Sequence, residues 1–204
     1  MSSADGSPRT IFVIRHGEKP PDEPPPHGVD ADGDHDPHSL VPRGWQRAGA
    51  LVTLFAPCLG QFRPGLRTPT QLIAPNYDKA AENERTHQTI LPLSDRLKLA
   101  IESDIAEGHE HKLGKKLAEA RDGVTLVCWE HKHIPAIATA ICPNGSIPST
   151  WPDERFDVVW SFTRDPATGA YAFEQIPQLL LHGDVSDPIA ASGDTEPTAQ
   201  AAPR

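Results

Sequence analysis

The sequence predicts an α/β fold: a three-layer sandwich with a mainly parallel central sheet, helices on both faces and a hairpin near the C-terminal end. Three observations carry this. Two short, nearly continuous apolar runs, residues 10–14 and 124–129, have the character of strands buried on both faces of a parallel sheet. Segments with a 3.6-residue apolar period alternate with such runs along the chain. One later stretch, residues 156–162, alternates with period 2 instead and has a plausible antiparallel partner across a short turn.

Taken in order, residues 1–8 are polar and should be loose. The first strand covers 10–14. Residues 19–41 hold Pro20, Pro21, Pro24, Pro25, Pro26 and Pro37 among Asp, Gly and His, with no regular period, and are expected to be a loop insertion. Asp30, Asp32 and Asp34 have the spacing that opens a calcium loop. The turn-glycine position then holds His35 and the bidentate position Val41, so a solvated acidic loop is the better reading. Trp45, Ala48, Val52 and Phe55 mark a helix over 43–56, stopped by Pro57. Residues 70–74 form a strand between two prolines.

Thr86, Ile90, Leu93 and Leu97 mark a helix over 84–97 that Pro92 should kink or divide. A short strand over 99–103 and a helix over 109–121 follow. The apolar strand 124–129 comes next, and then a helix with Pro135 in its first turn and Ile134, Ile137 and Ile141 inward. Strands 156–162 and 171–176 flank the turn at 165–169. Residues 183–204 are Ala, Pro, Ser, Thr, Gly and acids, and are expected to be a disordered tail behind a single domain over 1–182.

Composition excludes some functions. The 204 residues carry 19 Lys and Arg against 28 Asp and Glu, a formal net charge of -9, which disfavours a nucleic-acid partner. No run approaches the ~20 apolar residues of a membrane helix. Cys58, Cys128 and Cys142 are odd in number, and two lie in apolar runs, so they are expected to be reduced thiols in a cytoplasmic protein.

The chemistry gathers at strand ends, where open α/β sheets place their sites. The first strand ends in Arg15-His16-Gly17-Glu18. The second arginine segment, Glu84-Arg85-Thr86-His87-Gln88-Thr89, opens a helix. The strand 124–129 runs out into Glu130-His131-Lys132-His133. Two guanidinium forks and two imidazoles suit a phosphoryl group, whose oxygens need fixed positive charge and whose phosphorus accepts a nitrogen nucleophile.

With Leu40-Val41-Pro42-Arg43-Gly44-Trp45-Gln46-Arg47-Ala48 between the first two, these segments resemble the histidine phosphatase superfamily, the phosphoglycerate-mutase-like fold. The resemblance runs over residues 10–141 and rests on four motifs in order. It implies a metal-independent phosphatase that needs no cofactor. His16 would be the nucleophile that becomes phosphohistidine, and His131 the second catalytic histidine. Arg15, Arg85 and Gly17 would bind phosphate. The expected substrate is a small phosphorylated molecule or a phosphoprotein, with inorganic phosphate or vanadate as inhibitor and no membrane or nucleic acid involved.

The family's general acid has no motif here. Glu102, Asp104, Glu107 and Glu110 lie in the region the family order implies, and Glu18 and Glu130 flank the histidines. Two alternatives stand beside this reading. One is a phospho-ligand-binding module without turnover. The other is a metal-dependent hydrolase built on His109-x-His111 and His131-x-His133, against which two arginines in the pocket would repel a divalent cation.

Overall fold

The computed structural model describes residues 8–76 and 84–191. Their elements run β1 (Thr10–Arg15), α1 (Pro42–Phe55), β2 (Gln71–Ile73), α2 (Glu84–Leu97), β3 (Ile101–Glu102), α3 (Glu110–Glu119), β4 (Val124–Trp129), α4 (Ile134–Ile141), β5 (Val158–Arg164) and β6 (Tyr171–Pro177). The strands join one sheet in the order β3-β2-β4-β1-β5-β6. The first four are parallel; β5 runs antiparallel to β1, and β6 to β5.

The apolar runs explain the layers. Side chains of a strand point alternately to opposite faces, and in β1 both faces are buried. Ile11 and Val13 join a core with Leu113, Leu117, Ile134, Ile137 and Ile141 of α3 and α4. Phe12 and Ile14 join a second core with Leu51, Leu54, Phe55, Ile90 and Leu93 of α1 and α2. In β4, Val127 and Trp129 face the first core; Leu126 and Cys128 face the second. The three-layer sandwich expected from the sequence is the architecture found.

Four details differ. α2 passes through Pro92 as one helix. The ring removes one backbone hydrogen bond, and the buried Ile90 and Leu93 on either side hold the two turns in register against the core. β3 shrinks to two residues at the sheet edge. β5 begins at Val158, because Phe156 and Asp157 are spent on contacts with Arg15 and Arg155. Residues 183–191, placed with the tail, are packed: Ile189 is buried in the first core, and Gln175 exchanges two hydrogen bonds with its backbone. Of the segments expected to be loose, 1–7 and 192–204 lie outside the described residues.

The 19–41 insertion has no helix, and its only ladder contact among the described residues is a bridge between Val29 and His35. Trp45 Nε1–H donates to the Val29 carbonyl, which ties the loop to α1. Asp30 accepts two backbone N–H bonds of its own turn, from Asp32 and Asp34. No helix of the described residues is long and apolar enough to cross a membrane.

Candidate active site

Arg15 and His16 stand at the carboxyl end of β1, beside the end of the neighbouring β4, where Trp129 leads into Glu130 and His131. The parallel register makes this convergence: Arg15 pairs with Trp129, and the His16 amide donates to the Trp129 carbonyl.

The turn after His16 is built on a close approach. A Cβ on Gly17 would lie 3.0 Å from the Gly44 carbonyl, and one on Gly44 would lie 2.5 Å from the Glu18 carbonyl. The loop therefore crosses the start of α1 backbone to backbone, which only glycine permits. Glu18 is then clamped. Its carboxylate accepts from Arg43 and from both Nε and Nη2 of Arg47, while Arg47 also binds Asp184 and Gln178.

His16 is 5 % exposed. Its Nδ1–H donates to the Gly17 carbonyl at 2.7 Å, which makes Nε2 the nitrogen that carries the lone pair. Burial, and then the charges of Arg15 and Arg85, push the imidazole down to about 3, so it stays neutral at any working pH. Its ring centroid lies 6.4 Å from that of His131, the planes near perpendicular.

Arg15 is buried, with its guanidinium 3.8 Å over the Phe156 ring. Its Nη1 donates to the carbonyls of Pro152, Asp153 and Arg155. Its Nε and Nη2 have no hydrogen-bond partner among the described residues. Burial lowers its pKa to about 10, with Glu130, Asp153 and Glu18 opposing, and it remains charged.

His131 is 1 % exposed and sits between two carboxylates. Its Nε2–H donates to Asp153. Glu130 Oε1 lies 2.7 Å from Nδ1, outside hydrogen-bond alignment. Burial raises the Glu130 pKa, but the His131 contact and charge and the Lys132 amide outweigh it and hold the carboxyl down at about 2. Ligand atoms of His16, Glu130 and His131 all lie within 4.8 Å of one another, which makes them the group able to hold a metal among the described residues.

Arg85 is placed differently. It donates to the Ser39 and Pro37 carbonyls at the end of the 19–41 loop, and its charge still acts on His16. Gln88 holds the same loop through Leu40 and Ser39. Thr89 accepts from the Gly17 amide.

The remaining carboxylates are elsewhere. Glu102 is on the edge strand and accepts from Gln71. Asp104 is exposed near Lys116, and Glu107 lies in the turn before α3. Glu110 is buried, accepting from Trp129 Nε1 and the Gly108 amide. Of the six residues weighed as an acid, Glu130 alone is within reach of both imidazoles. The His-x-His pairs do not converge: His109, just before α3, and His111, on it, are both exposed, and His133 is not part of the cluster that holds His131. Sequence reasoning missed Asp153 and the platform role of Phe156. Neither carries a pattern, since one is an exposed loop acid and the other fits the alternation of the strand that follows.

No family model matches the chain, and no curated protein does. Among solved structures it is similar to one described as "a putative alpha-ribazole-5'-P phosphatase" from Escherichia coli K-12, with TM-score 0.44 and 14% identity, covering 83% of this chain and 96% of that one. It is also similar to "Mycobacterial hydrolase 2", with TM-score 0.45 and 10% identity, covering 91% of this chain and 94% of that one.

Proposed function

We propose that this chain is a phosphatase of the histidine phosphatase superfamily, hydrolysing a phosphomonoester through a phosphohistidine on His16. One observation carries the reading. Among the described residues, two donors of the buried Arg15 guanidinium lack partners directly beside a neutral imidazole whose Nδ1–H is engaged by the Gly17 carbonyl, leaving Nε2 as its lone-pair nitrogen. Buried donors are rarely left unpaired unless a ligand completes them, and a planar fork fits two phosphoryl oxygens.

In the first step, Nε2 of His16 attacks phosphorus, and the bond from phosphorus to the ester oxygen breaks. Arg15 and His131 hold the equatorial oxygens, with Arg85 adding charge. The leaving oxygen takes a proton from Glu130. Glu130 is ionised in the free site, but an arriving phosphoryl anion is a like charge and raises its proton affinity. A phosphomonoester, with a second pKa of about 6, brings that proton in. In the second step, water gives its proton to Glu130 and attacks phosphorus. The P–N bond breaks, releasing phosphate and neutral His16. The substrate is a small phosphorylated molecule or phosphoprotein, and phosphate and vanadate compete for the pocket. The unpaired cysteines suit the reducing cytoplasm.

The test is hydrolysis of an aryl phosphate in chelator, with an alkali quench that preserves acid-labile phosphate on the protein. Turnover and labelled His16, both lost in His16→Ala, are expected. A His16→Ala variant hydrolysing at the wild-type rate overturns the reading. The His16, Glu130 and His131 cluster favours a second reading, a zinc hydrolase, since two imidazoles and a carboxylate form a common catalytic donor set. Activity lost in chelator and restored by zinc assigns that one instead.

A further inference from the structure

The segment between α4 and β5 is a built part of the site. Trp151 is buried against Trp160, their ring centroids 4.8 Å apart, and donates from Nε1 to the Arg155 carbonyl. Arg155 is fixed to Asp157 and to the Asp187 carbonyl. Three carbonyls of this segment hold Arg15 Nη1, so its backbone is anchored. One side chain breaks the pattern. The Asp153 side chain is 82% exposed, yet its carboxylate turns inward onto His131, whose side chain is 2% exposed.

We infer that Asp153 is a latch: its carboxylate stands on His131 where a substrate phosphoryl oxygen belongs, and it swings out when that oxygen arrives. The inference rests on the phosphatase reading of the same site. A carboxylate oxygen and a phosphoryl oxygen make the same demand, an anionic acceptor for the His131 Nε2–H. The two carboxylates on His131 differ in how firmly they are kept. Glu130 is half-buried and also accepts from the Lys132 amide. Asp153 has its other oxygen in water, so release returns the carboxylate to solvent at little cost.

The latch also filters. A carboxylate ligand gains nothing over Asp153 at His131. A phosphoryl group carries further oxygens, which take the unpaired Nε and Nη2 of Arg15 as well. Only an anion able to use both sites displaces the latch, which selects phosphoryl groups over carboxylic acids.

Titration of wild type and of the Asp153→Ala and Asp153→Asn variants with vanadate tests this, with acetate as a carboxylate control. Removing a closed state that competes with the ligand raises apparent affinity by the closed-to-open ratio. Asp153→Ala is therefore expected to bind vanadate about three- to tenfold tighter, with Asp153→Asn between it and wild type, and to admit acetate that wild type excludes. The His131 Nε2 proton should resonate far downfield in wild type and shift on vanadate saturation, and should start shifted in Asp153→Ala. Equal vanadate affinity in all three proteins overturns the latch and leaves the phosphatase reading standing. Weaker binding in Asp153→Ala also overturns it, making Asp153 a positioning residue for His131. No vanadate binding by any of the three overturns both.

Discussion

The Gly17 amide donates to Thr89 Oγ1 at 2.7 Å, and the Thr89 hydroxyl donates to the Arg85 carbonyl at 2.6 Å. One hydroxyl thus fixes the loop that carries His16 against the first turn of the helix that carries Arg85. Thr89→Val keeps the volume and leaves the buried Gly17 N–H without a partner. It should cost about 1–3 kcal/mol in urea unfolding. On the proposed mechanism it should also lower turnover about tenfold or more by shifting His16, while Thr89→Ser retains both. Wild-type turnover in Thr89→Val counts against the tie.

Glu130→Gln tests the proton-donor role proposed for that carboxyl. General acid help is typically worth about 10²–10⁴-fold and matters most for a poor leaving group. The variant should lose rate on an alkyl phosphate by about that factor and far less on an aryl phosphate. An unchanged alkyl-to-aryl ratio removes Glu130 from the role.

His16 makes acid destabilising. Its pKa is about 3 folded against an ordinary value of 6.5, so between these values the unfolded chain holds more protons and stability rises with pH. Lowering the pH from 6.5 towards 3 should therefore cost on the order of a few kcal/mol through this residue. Glu130, held at about 2, acts in the same direction but only below its ordinary value of 4.5. His16→Asn should flatten the decline between pH 6.5 and 4.5. An identical pH dependence of urea midpoints in variant and wild type refutes the assignment.

Arg47 carries the link between the loop after His16 and the end of the described chain. Its side chain is 3% exposed, and the Asp184 side chain that it binds is equally buried. Burial lowers the Arg47 pKa, but hydrogen bonds to Asp184 and Glu18 outweigh it and raise it above the ordinary value. Arg47→Met leaves two carboxylates with no cation between them, at a cost of about 3–5 kcal/mol. We place the C-terminal limit of the folded unit beyond Ile189. Truncation after residue 182 should then lower the melting temperature clearly, and an unchanged melt restores the shorter limit.

Much of this was legible in the sequence, for identifiable reasons. β4 falls on residues 124–129, as expected, because a continuous apolar run bounded by Asp-Gly and a charged exit has few other readings. Arg15, His16 and His131 stand out in the sequence because strand ends concentrate chemistry, and the parallel register of β1 and β4 brings them together. Glu18 stands among the candidate acids in the sequence because nothing local reveals that Arg47, in the next helix, claims its carboxylate. The search for an acid over residues 102–110 followed chain order, whereas distance follows sheet order. β3 is three strand spacings from β1, roughly 14 Å. Asp153 was invisible because its partner lies across a loop of irregular backbone.

The sheet order also governs when the site is assembled. β1 pairs on one edge with β4, Thr10 opposite Val124, and on the other with β5, Thr10 opposite Thr163. Neither neighbour is within a hundred residues along the chain. No neighbouring strand close in sequence seats β1, so its placement waits on two long loop closures, an intrinsically slow step in folding. On dilution from urea, helical signal should return first, and the capacity to bind vanadate should be among the last properties the refolding chain recovers.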